Sequence, residues 1–141
     1  VHISPTFCIG ALAVFGATWL RVACFRTMGR LFTFQMSIKD EHKLVTDGPY
    51  SIVRHPSYTA LLLLTFGLTC CELSSGMYWT ALGLYQFIPA KILCCAWIWT
   101  VIWMCMITGR AWKEDAFLKK EFGAQWEDYA SRVPFMFVPG L

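Results

Sequence analysis

Four stretches of the chain, residues 1–20, 55–71, 73–90 and 92–109, carry no acidic side chain, lysine or arginine. Each is close to the roughly 17 to 25 residues a helix needs to cross hydrocarbon. A soluble core seldom requires four such stretches. With 57% hydrophobic and 15% charged residues, this chain also lacks the polar surface of a typical water-soluble domain. The expected fold is therefore all-α, a polytopic integral membrane helical bundle formed by residues 1–141 as a single domain.

The distribution of basic residues sets the expected topology. Arg21, Arg26, Arg30, Lys39, Lys43 and Arg54 precede the second apolar run. Arg110, Lys113, Lys119, Lys120 and Arg132 follow the last, and only Lys91 lies between. The connection "ELSSG" after the second run has no basic residue. By the positive-inside rule, residues of about 26–55 and 109–141 face the cytosol, which requires an even number of crossings between them. Residues 77–108 are too short for two spans with a turn, so they read as one long or broken element, interrupted near Pro89 and Lys91. The expected spans are then about 5–25, 56–71 and 77–108. The first apolar run has no basic leader and does not read as a secretory signal.

The seven cysteines show no Cys-x-x-Cys spacing and mostly sit inside apolar runs. They read as small packing residues in a reducing compartment, and no metal is expected. No internal repeat or low-complexity segment is visible, and nothing in the charge pattern calls for a nucleic acid.

Within the first span, Gly10, Ala13, Gly16 and Ala17 permit close helix approach in lipid. The segment that follows is too long for a plain connector. It contains the turn signal "TDGPY", and Pro56 suits the first turn of the second helix. In the tail, Trp112, Phe117, Leu118 and Phe122 alternate with charges, which predicts an amphipathic helix over about 110–122 lying on the membrane surface. Gly123 would stop it, and a short helix over about 125–132 would end before Pro134.

Ionisable groups gather where these segments meet the membrane. Arg54 and His55 open the second span, and Arg110 and Glu114 stand where the third leaves it. Taken singly, each has an ordinary role. Arg54 can anchor to lipid phosphate, His55 can bond to backbone, and Arg110 with Glu114 can form a surface pair four residues apart. Tyr50, Tyr58 and the tryptophans suit an interfacial belt. Together, on the cytosolic side, the same residues could line one pocket.

Two blocks carry a family resemblance. Residues 42–67, "HKLVTDGPYSIVRHPSYTALLLLTFG", and the tail "EDAFLKKEFGAQWEDYASRVPFMFVPGL" closely resemble the isoprenylcysteine carboxyl methyltransferases, integral membrane enzymes that methylate the terminal carboxylate of prenylated proteins. Arg-His-Pro is shared with related membrane families, whereas the preceding "HKLVT" is more specific. The acidic pair here is Glu114-Asp115 where the family has two glutamates, and Trp126 replaces a frequent tyrosine. The resemblance implies binding of S-adenosyl-L-methionine by Gln35, His42, Lys43, Leu44, Val45, Tyr50, His55, Pro56, Ser57, Tyr58 and Glu114. It implies that Arg110 meets the substrate and that Arg54 stands beside the reaction centre, these two being the expected catalytic residues. The expected pocket is cytosolic, formed by the loop after the first span and the C-terminal helices. The expected partners are a prenylated C-terminal cysteine and the lipid bilayer, in the endoplasmic reticulum. The rival readings are a methyltransferase acting on a phospholipid or small amphiphile, a sterol-reductase-like oxidoreductase and an inactive membrane scaffold.

Overall fold

A computed structural model describes residues 3–29, 43–74 and 90–140, with main chain alone for 90–95 and 97. Four α-helices follow in order: α1 (Pro5–Met28), α2 (Pro56–Glu72), α3 (Ala90–Phe122) and α4 (Ala124–Arg132), with a 3-10 turn at Gly48–Ser51 ahead of α2. Among the described residues there is no strand. The all-helical expectation therefore holds, and α1 is long and apolar enough to cross a membrane.

The starts and stops follow from local chemistry. Ser4 caps α1 by accepting the Phe7 amide at 3.2 Å, and Pro5 occupies the first turn, where a missing N–H leaves no bond unmade. Pro56 does the same for α2. Gly123 ends α3 with φ 49°, a left-handed backbone that glycine adopts without a Cβ clash, and the chain turns there into α4.

The main packing is α1 against α2. It is made possible by two glycines: a Cβ on Gly10 would lie 2.7 Å from the Gly67 carbonyl oxygen, and one on Gly67 would lie 2.8 Å from the Gly10 carbonyl oxygen. Backbone meets backbone at this crossing, which is how helices associate where lipid supplies no hydrophobic driving force. Ala17 and Ala60 are buried as well. Polar ties mark both ends of the pair, Ser4 Oγ to Ser74 Oγ at 2.7 Å and Arg21 Nη1 to Ser57 Oγ at 3.4 Å. The outer face of α1 exposes Leu12, Phe15 and Trp19, an apolar stripe suited to lipid. Thr18, Thr65 and Thr100, inside the helices, donate to carbonyls four residues back and so satisfy their hydroxyls within their own helix.

One expectation needs correction. Residues 110–122 do not form a separate helix lying on a surface; they continue α3 through Gly109 without a break. A change from apolar to amphipathic composition reports a change of surroundings and leaves the i to i−4 hydrogen bonding intact, so the backbone has no reason to stop. Gly109 costs about 1 kcal/mol of helix propensity and no more. The interruption expected near Pro89 and Lys91 falls partly outside the described residues; the main chain at Lys91 is helical.

Helix α2 meets α3 over a short stretch only. Farther along, Thr65 of α2 and Trp99, Thr100 and Trp103 of α3 line an open cleft of about 280 Å³.

Candidate active site

Helix α3 places its chemistry by period. Ile107, Ala111 and Asp115 recur every four residues and are buried, so they form the stripe that faces the start of α2. Ala111 is fully buried, and its single methyl lets the two backbones close up. Arg110 and Glu114 lie one step round the helix, on its half-exposed flank.

Opposite them stand the last residues before α2. His55 is 6% exposed and precedes Pro56, yet its ring does not cap the helix. The ring reaches α3 instead, with Nε2 2.8 Å from Asp115 Oδ1 and Nδ1 3.7 Å from Glu114 Oε2. The second Asp115 oxygen lies 2.8 Å from Arg54 Nη1. Glu114 Oε1 accepts from the Tyr58 hydroxyl at 2.7 Å and from Arg110 Nε at 2.9 Å. That bond to Glu114 is the main reason Arg110 holds its proton more firmly than a free guanidinium. Two carboxylates thus bridge two arginines, a histidine and a tyrosine, with Asp115 on the buried side and Glu114 on the open side.

The C-terminal segment completes the cluster. Val133–Phe137 runs past the start of α2 and offers successive carbonyls: Pro134 to the Arg54 guanidinium at 3.3 Å, Phe135 to the Arg54 amide at 2.9 Å, Met136 to the His55 amide at 3.0 Å and Phe137 to the Thr59 hydroxyl. Main-chain donors ahead of a helix that starts with proline find their partners in this strap. The Phe137 ring packs 6.1 Å from the His55 ring, and the Arg54 guanidinium stands 5.7 Å over Trp126 of α4. Behind this layer the Tyr129 hydroxyl donates to the Tyr50 carbonyl at 2.8 Å, both residues being buried.

The expected site residues therefore distribute unevenly. His55, Tyr58, Arg110, Glu114 and Arg54 come together in one cluster. The Arg54 guanidinium is engaged by Asp115, Pro134 and Trp126. Tyr50 is buried beside them, its phenol pushed well above the usual tyrosine range chiefly by burial and then by neighbouring Cys24. Pro56 is fully buried, and Ser57 turns toward Arg21 of α1. Lys43, Leu44 and Val45 form irregular chain leading into the turn at Gly48–Ser51, with Lys43 exposed. Gln35 and His42 lie outside the described residues. Asp115, Trp126 and Tyr129 are part of the cluster although the sequence pattern did not single them out as site residues. The available signal was the four-residue step from Ala111 to Asp115, which places the second acid of the pair on the buried face.

Burial, with the Asp115 carboxylate adding to it, pushes the Tyr129 phenol up to about 12 from its ordinary 10.0. The unfolded chain releases that proton first as pH rises through about 10, so this contribution to stability is complete below 10 and lost on the way to 12. An alkaline melt followed by tyrosinate absorbance is expected to show a late-titrating component that Tyr129→Phe removes. The same substitution deletes the bond to Tyr50 and should cost about 0.5–1.5 kcal/mol at neutral pH.

The described residues thus form an apolar helix pair with a cluster of ionisable side chains at one end, and α1 is long and apolar enough to cross a membrane. The chain belongs to the isoprenylcysteine carboxyl methyltransferase (ICMT) family, whose sequence profile matches residues 9–92. It is 33% identical over 120 residues to protein-S-isoprenylcysteine O-methyltransferase B of Arabidopsis thaliana, covering 82% of this chain and 50% of that protein. It is 29% identical over 130 residues to a probable protein-S-isoprenylcysteine O-methyltransferase of Oryza sativa subsp. japonica, covering 89% and 57%. A probable 7-dehydrocholesterol reductase of Acanthamoeba polyphaga mimivirus shares 26% over 99 residues, 70% of this chain and 18% of that protein. The chain spans about half the length of the methyltransferases it matches. No solved structure matches it.

Proposed function

We propose that this chain forms the catalytic part of an enzyme that methylates the C-terminal carboxylate of prenylated cysteine, using S-adenosyl-L-methionine, at the cytosolic face of the endoplasmic reticulum membrane. The observation that carries this reading is the Glu114 carboxylate, shared by Tyr58 and Arg110 and standing beside the His55 ring at the open edge of a buried ion cluster. The donor set suits the cofactor. An amino acid moiety carries an ammonium, and Glu114 presents a carboxylate to it at this edge, leaving the half-exposed Arg110 guanidinium for the substrate. When bound, the cofactor supplies an activated methyl group.

The rest is alignment. A terminal carboxylate has a pKa near about 3.5 and is already ionised at neutral pH, so no strong general base is needed. Arg110 meets that carboxylate, because its planar fork matches two oxygens. Tyr58 and His55, with Glu114, orient the donor, and Tyr50, Lys43, Leu44, Val45, Pro56, Ser57, Gln35 and His42 complete its surroundings. Arg54 stands beside the reaction centre as part of the His55 and Asp115 cluster. The cleft between Thr65 and Trp103 lies about 10 Å along α2 from Tyr58, at about 1.5 Å per residue, and gives an isoprenoid chain an aromatic wall within reach of the site.

The test is transfer of labelled methyl to N-acetyl-S-farnesylcysteine by the chain in liposomes. Base-labile label is expected, falling about a hundredfold in Arg110→Ala and Glu114→Ala. Undiminished transfer in Arg110→Ala, or label on a lipid amine, would move the reading to a phospholipid substrate. Binding of a nicotinamide dinucleotide with no binding of S-adenosylmethionine would favour the reductase reading that the viral relative suggests.

A further inference from the structure

The His55 ring stands between two carboxylates, with Nε2 2.8 Å from Asp115 and Nδ1 3.7 Å from Glu114, and the reading above gives a role to Glu114 alone. Resting on that reading, we propose that Asp115 is the positioning residue of the site: it takes the hydrogen of His55 Nε2 and thereby turns Nδ1 toward Glu114 and the ligand.

The geometry divides the work between adjacent acids. Asp115 uses its two oxygens on different partners, Oδ1 on His55 Nε2 and Oδ2 on Arg54 Nη1, each at 2.8 Å. An ionised carboxylate only accepts, so the hydrogen in the first of these bonds belongs to Nε2. Its side chain is 8% exposed, against 23% for Glu114. Its place on the Ile107, Ala111 and Asp115 stripe fixes the carboxylate through the α3 backbone. The ring it holds is fixed from behind as well, because the His55 amide is bonded to Met136 and Phe137 packs on the imidazole. Arg54, held by the Pro134 carbonyl and the Trp126 face, balances the Asp115 charge and so acts on His55 through it. Glu114 is left to face the ligand.

The experiment uses the whole chain in lipid nanodiscs, labelled with ¹⁵N-histidine. His2, His42 and His55 are its three histidines, so the imidazole spectrum is small enough to assign. In the parent, Nε2 of His55 is expected to be the protonated, hydrogen-bonded nitrogen. Asp115→Asn should shift that resonance and weaken S-adenosylmethionine binding by about tenfold, and Asp115→Glu should restore both. An Nε2 without hydrogen in the parent overturns the proposal. So does an Asp115→Asn protein whose thermal midpoint falls while the His55 signals and the affinity stay those of the parent, since Asp115 would then only support the fold. If Asp115→Asn does not fold, the protonation of Nε2 in the parent decides. A parent that binds no S-adenosylmethionine refutes the methyltransferase reading instead, and the spectra still report whether Asp115 sets the ring.

Discussion

Gly67→Val is expected to abolish the α1 and α2 pair and, with it, recovery of a monodisperse protein in detergent. The first carbon added at Gly67 would sit 2.8 Å from the Gly10 carbonyl oxygen and 2.9 Å from the Val14 amide nitrogen. Both are main-chain atoms of α1, so no rotamer change relieves the clash and the helices must separate. Overpacking that side chains can absorb costs about 1–3 kcal/mol; here the cost exceeds that range, because separation also gives up the burial of Ala17 and Ala60 and the bond between Ser4 and Ser74. Gly16→Ala is the matched control, since its new methyl meets only Leu63 Cδ2, at an ordinary 3.7 Å. Detergent thermal melts of the two variants should diverge, with Gly16→Ala close to the parent. A Gly67→Val protein that melts with the parent would show that the crossing is not as close as described.

The second large effect is expected from removing residues 134–141. Arg54 and His55 would lose their main-chain acceptors, the Arg54 guanidinium would lose Pro134, and Thr59 would lose Phe137. A buried donor left without a partner costs about 1–3 kcal/mol, so the two orphaned amides alone cost about 2–6 kcal/mol, a large share of the roughly 5–15 kcal/mol that holds a domain together; the Arg54 guanidinium keeps Asp115 and Thr59 keeps the His55 carbonyl. The α1 and α2 crossing makes no use of the strap. The shortened chain should therefore keep most of its helical circular dichroism while the proposed S-adenosylmethionine binding and methyl transfer disappear. Binding at the parent's affinity would mean that the start of α2 is held without the strap.

The parts of this architecture that were legible in the sequence are those set by local chemistry. Pro56, Gly123 and Pro134 mark boundaries because a missing N–H and a positive φ act on the nearest backbone whatever surrounds them. Gly10 was recognisable as a contact because it lies among small residues at helical spacing. Its partner Gly67 was not, since a single glycine after a leucine run has no pattern of its own. The convergence of Arg54 and His55 with Arg110 and Glu114 followed from charge at the ends of apolar runs. Asp115 escaped because it reads as an exposed neighbour of Glu114 until the register of α3 is known, and one residue turns a side chain by about 100°. Tyr129 and the strap depend on contacts 78 to 81 residues apart, which no spacing rule reaches.

The continuity of α3 has a consequence for the setting in which the proposed enzyme would work. At about 1.5 Å per residue, its 33 residues measure about 50 Å and the 17 of α2 only about 25 Å. A hydrocarbon layer is about 30 Å thick, so a spanning α2 would be slightly short, while α3 would match it with its apolar residues 90–109 and carry 110–122 on beyond the layer. A thicker bilayer pulls on the short helix, while the long one has length in hand and meets it by standing more upright. Tyr58 rides on the first and Glu114 on the second. If both helices span, the register between them would answer to membrane thickness, and the rate of the proposed enzyme to lipid chain length.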